Sequence, residues 1–426
     1  MNDRFQTRWR KNLLIFVAAL LFSTTDFVSA ANWPQWRGPN RDGKSTETGL
    51  LKKWPETGPT LLWSSEVIGN GFSSPSISGG MLYITGIDDE KMEFLTAMDL
   101  QGNVKWKITY GLSWTNSFSE ARTTPTIDGK FVYVISGQGK VVCVDRQTGQ
   151  EKWSVEALKN FGGKTGRWGV AESPLIVDDK VIFTPGGDQT TVVALNKLTG
   201  ETVWQTKSLN YQTAYVSPIL ISYKGKKQIV AITGQHILGV NPKNGEIDWT
   251  YDYLQHFSAG RGGEINTNSP LFYNSEIYVT SGYNHVGIKL KLADDLKSVA
   301  KVWIDETLDV HHGGFVLVDG FLYGANWLTN SKGNWAAVDW KTGKPAYDTE
   351  WENKGSIIYA DGMLYCYDEK GGNVALVTAT PKAFNIVSTF KVPLGGGIAA
   401  WAHPVICDGR LYMRRGNALM VYDIKQ

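Results

Sequence analysis

A chain of 426 residues with 46 Gly, 17 Trp and only 20% charged side chains is not disordered, collagen-like or a membrane bundle in composition. Its 43 basic and 41 acidic residues leave a net charge of +2, without the clustered positive field that nucleic-acid binding needs. This length usually divides into two or three domains, but large all-β folds continue as one unit.

The first thirty residues read as an export signal. Arg4, Arg8, Arg10 and Lys11 form a basic head, Leu13 to Phe22 is an unbroken apolar run, and Val28-Ser29-Ala30 places small residues before a cut ahead of Ala31. The run is too short for a membrane anchor, so no transmembrane span is expected once it is removed. The first Cys is Cys143, so there is no site for lipid attachment. These features predict a periplasmic or secreted chain. Cys143, Cys366 and Cys407 fall in or at the end of apolar alternating segments and read as small buried hydrophobes without metal spacing.

Residues 31–60 read as an N-terminal strap containing Trp33-Pro34-Gln35-Trp36-Arg37-Gly38-Pro39-Asn40-Arg41-Asp42-Gly43. Residues 61–426 then read as one repeating domain. A turn followed by an apolar pair recurs at Leu82-Tyr83, Val132-Tyr133, Val181-Ile182, Ile229-Val230, Ile277-Tyr278, Leu322-Tyr323, Leu364-Tyr365 and Leu411-Tyr412. An Asx-to-Gly turn follows most of them, with Trp four residues beyond the Gly at Trp106, Trp153, Trp204 and Trp249, and Tyr347 in the same place. Before the apolar pair, Ser74-Pro75, Thr124-Pro125, Ser173-Pro174, Ser217-Pro218, Ser269-Pro270 and His403-Pro404 open a strand, where Pro is tolerated. Phe315 and Ile357 stand at the Pro position of the two remaining repeats.

Each unit is one four-stranded blade, too small to bury both its faces alone. The prediction is an all-β, eight-bladed β-propeller of four-stranded antiparallel blades, with the recurrent Trp between blades. Seven blades is the alternative, since the repeats around Phe315 and Ile357 are the least regular. The last repeat ends at Gln426 where its Trp strand should begin, and Leu61-Leu62-Trp63-Ser64-Ser65 supplies that strand. Closure by the N-terminal strand removes exposed edges.

The pattern Asp-x-x-Thr-Gly-x-x-x-Trp from Asp145 to Trp153 resembles the pyrroloquinoline quinone (PQQ) repeat. That repeat builds quinoprotein dehydrogenases and the non-enzymatic outer-membrane assembly lipoproteins of the BamB type. The resemblance covers nearly all of the chain after the leader and speaks to fold more than to function. For a dehydrogenase it implies PQQ with Ca²⁺; for an assembly protein it implies a protein partner. No two cysteines are adjacent, whereas quinoprotein alcohol dehydrogenases carry such a pair over the cofactor. The roofing insertions of those enzymes and the acylated Cys of the lipoproteins are missing too.

Ligands on propellers meet the loops at one mouth of the central channel, here the loops preceding the Pro element. Three residues before each Pro-equivalent lie Phe72, Arg122, Ala171, Tyr215, Thr267, His312, Lys354 and Trp401. Unlike residues at equivalent positions suit an asymmetric site. With their neighbours they give a candidate ligand-binding set of Arg122, Arg167, Trp168, Glu172, Tyr215, Arg261, Glu264, Asn268, His311, His312, Trp401 and His403. Arg122, Arg167 and Arg261 suit a carboxylated ligand, and Trp168 or Trp401 a flat ring. Glu172 and Glu264 are the candidate bases or calcium ligands, with no oxygen cage around them in sequence. His311 and His312 are adjacent on a strand and should face opposite ways, which argues against a shared metal. No catalytic residue and no metal set is assigned. The leading expectation is a monomeric, non-catalytic propeller binding a protein or envelope ligand. The alternative is a PQQ-dependent oxidoreductase acting on an alcohol or sugar, and carbohydrate binding through mouth tryptophans is a third.

Overall fold

The computed structural model describes residues 32–257, 264–397 and 399–426; the expected export signal of residues 1–30 and Arg261 lie outside them. Each of the eight apolar pairs falls in the second strand of a four-stranded antiparallel sheet. In the first blade the order is Ser76–Ser78, Met81–Ile87, Met92–Asp99, Val104–Leu112, each strand pairing with the next. The described residues form eight such blades, so the seven-blade alternative falls. The irregular repeats still build complete blades, with inner strands Val310–Val318 and Gly355–Ala360. In the last blade Val405–Cys407, Arg410–Arg415 and Ala418–Asp423 are completed by Thr60–Ser65, with Leu61 opposite Tyr422 and Trp63 opposite Val421. The chain's first strand therefore closes the ring.

Strand alternation drives the assembly. In Met363–Asp368, Leu364 and Cys366 enter the core shared with the preceding blade, where Val316 and Tyr323 lie. Tyr365 and Tyr367 enter the core on the other side, with Leu411 and Met413. Each such fully buried side chain contributes roughly 1.5–3 kcal/mol, and only a neighbouring blade supplies the cover.

The recurrent tryptophans join blade to blade. The ring of Trp106 lies over Gly149, in the turn of the following blade, and its indole N–H donates to the Arg146 carbonyl at 3.2 Å. Trp63 repeats this with Leu100 at 2.9 Å, Trp153 with Lys197 at 3.0 Å and Trp204 with Pro242 at 3.1 Å. Trp303, which the sequence reading passed over, does the same with Trp340 at 3.2 Å. Trp249 departs from the pattern. The following blade has no Gly turn there, and its indole donates to Gln228 Oε1 at 2.8 Å.

The residues preceding proline form an inner belt. The Ser74 amide donates to Thr124 Oγ1 at 3.1 Å, the Thr124 amide to Ser173 Oγ at 2.9 Å and the Ser173 amide to Ser217 Oγ at 2.9 Å. Proline next in sequence carries no N–H to satisfy, and the hydroxyl before it accepts a bond from the adjoining blade.

The leader enters the channel. Trp33 is buried and its backbone pairs with Ile77, while Lys44 bridges to Tyr359 on the seventh blade. Arg37 donates to the Phe315 carbonyl and bonds His403 Nδ1 at 2.9 Å. Arg41 donates to the carbonyls of Pro174, Pro218 (2.9 Å) and Ser173 (3.3 Å). Cys143, Cys366 and Cys407 are buried in separate blades and form no disulfide with one another.

Candidate functional site

Seven of the eight mouth positions, all but Lys354, line one cavity of about 390 Å³. Its apolar surface comes from three places. Phe72 and Phe118 lie 4.7 and 5.3 Å from Trp401, Trp168 lies 5.4 Å from Tyr215, and Trp36 reaches in from the leader. Trp36 is held by a bond from its indole to Ser269 Oγ at 3.2 Å.

The polar side is centred on Glu369. Lys354 pairs with it at 2.7 Å, the Trp401 indole donates to it at 3.0 Å and His311 Nδ1 stands 3.8 Å away. Lys354 also donates to the Thr329 and Asn330 carbonyls, so its charge sits behind the wall. Burial lowers its pKa, against the pull of Glu369. Burial also holds His311 and His312 well below the usual imidazole range, so both rings are neutral at physiological pH. Arg122 donates through one nitrogen to the Ser117 carbonyl at 2.8 Å and to that of Phe118, while its Nη1 is buried without a protein partner. Burial lowers its pKa too, opposed by Glu93 and Glu120.

His311 and His312 do not face apart as a regular strand would require; their ring centroids are 3.6 Å apart and both line the cavity. The inner strand loses register between Val310 and Phe315, and Gly314 adopts φ +66°. A bulge of this kind re-aims side chains. Asn268 stabilises it, donating to the Val310 carbonyl at 2.7 Å and accepting from the Gly314 amide at 3.2 Å.

Of the candidate set, Arg122, Trp168, Tyr215, His311, His312 and Trp401 come together on the cavity wall. The others are placed elsewhere. Arg167 is exposed, its guanidinium 5.8 Å from the Trp168 ring. Glu264 is exposed and accepts from Tyr211 at 3.1 Å. Glu172 is buried toward the leader, bonded to the Thr184 amide at 3.1 Å, and burial pushes its pKa up to about 8 against the pull of Arg41. His403 is buried on Arg37, and desolvation takes its pKa down to about 3. Arg261 lies outside the described residues. The sequence reading did not assign Trp36, Phe118, Tyr283 and Glu369 to the site, although all four line the cavity. Tyr283 and Glu369 follow the second strands of their blades, and those loops were the available signal.

The described geometry is a closed eight-bladed propeller whose mouth carries a ligand-sized aromatic pocket. The family model described as outer membrane protein assembly factor BamB matches residues 95–377, and the chain belongs to that family. BamB from Moraxella catarrhalis shares the fold, at TM-score 0.63 and 15% identity over 86% of this chain and 100% of that one. So does quinohemoprotein alcohol dehydrogenase from Comamonas testosteroni, at TM-score 0.67 and 13% identity over 92% of this chain and 80% of that one. A curated quinoprotein ethanol dehydrogenase from Pseudomonas putida is 25% identical over 171 residues, 36% of this chain and 26% of that protein. The match thus spans about a quarter of that relative's length.

The described residues do not fit PQQ with Ca²⁺. Glu369 is the one described carboxylate on the cavity wall, and Lys354 and Trp401 already engage it. Among the described residues no three His, Cys, Asp or Glu converge. Calcium needs six to eight oxygens, and among the described lining residues the quinone's three carboxylates would find one guanidinium, Arg122, and the exposed Lys370. No step is derived through that group.

Proposed function

We propose that this chain is an exported, non-catalytic binding protein of the cell envelope that receives its ligand in the cavity at the propeller mouth. One observation carries the reading: the one described carboxylate on the cavity wall, the natural candidate for a base, is already engaged by protein partners. Glu369 is held by Lys354 and Trp401, and His311 Nε2 shares a bond with Tyr283 at 2.9 Å. A general base requires a lone pair directed at the substrate and a pKa near the working pH; the two imidazoles stand well below that range. What the cavity offers is shape, aromatic surface and fixed hydrogen-bonding groups, the features of a recognition pocket.

Placement in the envelope is supported by the basic head and apolar run of residues 4–22 and by the family's description as an outer-membrane assembly factor. Among the described residues no helix is long and apolar enough to cross a membrane. The test is to add PQQ and Ca²⁺ to the purified chain and follow both its Tm and the reduction of an artificial electron acceptor by alcohols and sugars. The expected result is no reduction and no rise in Tm. Acceptor reduction that depends on both additions overturns the proposal in favour of a quinoprotein oxidoreductase, and a cofactor that binds would protect the fold against heat.

A further inference from the structure

We propose that the mouth cavity is a saccharide site, taking a hexose end of a neutral glycan between its aromatic walls. This rests on the binding reading above and names its ligand class.

The aromatic surface is arranged on several sides of the cavity. Trp401 with Phe72 forms one wall, Trp168 with Tyr215 another, and Trp36 a third contributed by the leader. A pyranose ring presents C–H bonds on its faces and hydroxyls at its edge. Its faces gain dispersion and weak C–H contacts on indole and phenyl surfaces. A ligand that was apolar throughout would gain the same contacts, so the walls alone do not decide the class.

The polar groups decide it. An apolar occupant would cover the hydroxyls of the lining and leave their protons unmet. The cavity wall carries neutral hydroxyls with capacity to spare. Ser217 Oγ accepts from the Ser173 amide at 2.9 Å and keeps its proton to donate. Tyr215 accepts from the Trp168 amide at 3.2 Å and likewise keeps its proton. Ser269 accepts from Trp36 at 3.2 Å. An anionic or cationic ligand needs a surplus of opposite charge, but Glu369 and Lys354 cancel at 2.7 Å, the two imidazoles are neutral, and Arg122 is turned to the Ser117 and Phe118 carbonyls with Glu93 and Glu120 nearby, which leaves only the exposed Lys370 among the described lining residues. A polyol with apolar faces satisfies the walls and the hydroxyls together. The volume of about 390 Å³ is at the small end of the range for ligand pockets, which suits a mono- or disaccharide terminus.

The experiment is calorimetric and tryptophan-fluorescence titration of the mature full chain. The probes are glucose, galactose, mannose, N-acetylglucosamine, cellobiose and maltose, followed by an array of neutral glycans. At least one probe is expected to bind saturably. Trp401→Ala and, separately, Phe72→Ala are expected to weaken it at least tenfold, while Lys152→Ala on an outer strand leaves it unchanged. Two pocket variants are used so that misfolding of one does not decide the result. No saccharide binding, or binding indifferent to both pocket substitutions, overturns the proposal and leaves the non-catalytic reading standing. Sugar-dependent acceptor reduction with PQQ and Ca²⁺ would keep the saccharide and overturn the non-catalytic reading instead.

Discussion

Gly149 illustrates how one residue type is required at one place. Its backbone is at φ +74°, and a Cβ there would stand 2.8 Å from the Trp106 ring. Gly149→Ala is expected to destabilise by about 1–3 kcal/mol, through left-handed strain and lost contact. Trp106→Ala should cost about 3–5 kcal/mol, because a cavity opens between two blades. Urea unfolding of both variants checks the pair. The spacing that places this contact was legible, because turn chemistry fixes the Gly and a fixed register carries the Trp to its neighbour. Depth was not legible at Glu172 and His403, which share the mouth segments but turn toward the leader. One step along an extended chain reverses the face on which a side chain lies.

Those two buried groups set opposite pH slopes. Glu172 rises from 4.5 to about 8, so the native state holds a proton that the unfolded chain releases, and its contribution is lost as pH rises through that window. His403 falls from 6.5 to about 3, so its contribution is full above 6.5 and lost as pH falls toward 3. Glu172→Gln should therefore flatten the decline in Tm between pH 5 and 8, a slope bounded at about 1.4 kcal/mol per pH unit for one group. A wild-type slope that survives the substitution would refute this account.

At the level of elements, the leader is the least repetitive part of the chain and makes contacts no blade makes for itself. Arg41 satisfies the carbonyls of Ser173, Pro174 and Pro218, at a place where burial brings its pKa down to about 9. Arg41→Met removes the charge and strands three acceptors. A loss of about 3–5 kcal/mol is expected in chemical denaturation, of the size seen when one partner leaves a buried charged contact. The sequence reading expected a strap at residues 31–60. The destinations of its guanidinium groups were not legible, since Arg41 meets Ser173 and Arg37 meets His403 across long stretches of chain that no local pattern connects. Thr60–Ser65 was legible for a different reason: the last repeat was one strand short. A chain beginning after Ser65 should expose the edge of Ala418–Asp423 and self-associate in light scattering.

Across the whole molecule, eight near-equivalent scaffolds hold an unequal ring of side chains. One offset from the Pro element found most of the inner wall, because inner strands keep a common register. Glu369 and Tyr283 escaped it, since loops after the second strands vary in length and share no such anchor. The leader's reach has a further outcome for biogenesis. Arg37 and Trp36 precede all eight blades in the chain, yet Arg37 is satisfied by Phe315 and His403, and Trp36 by Ser269. The pocket is therefore finished only when the last blade has been made. A chain cut before the last blade lacks His403 and cannot complete this arrangement.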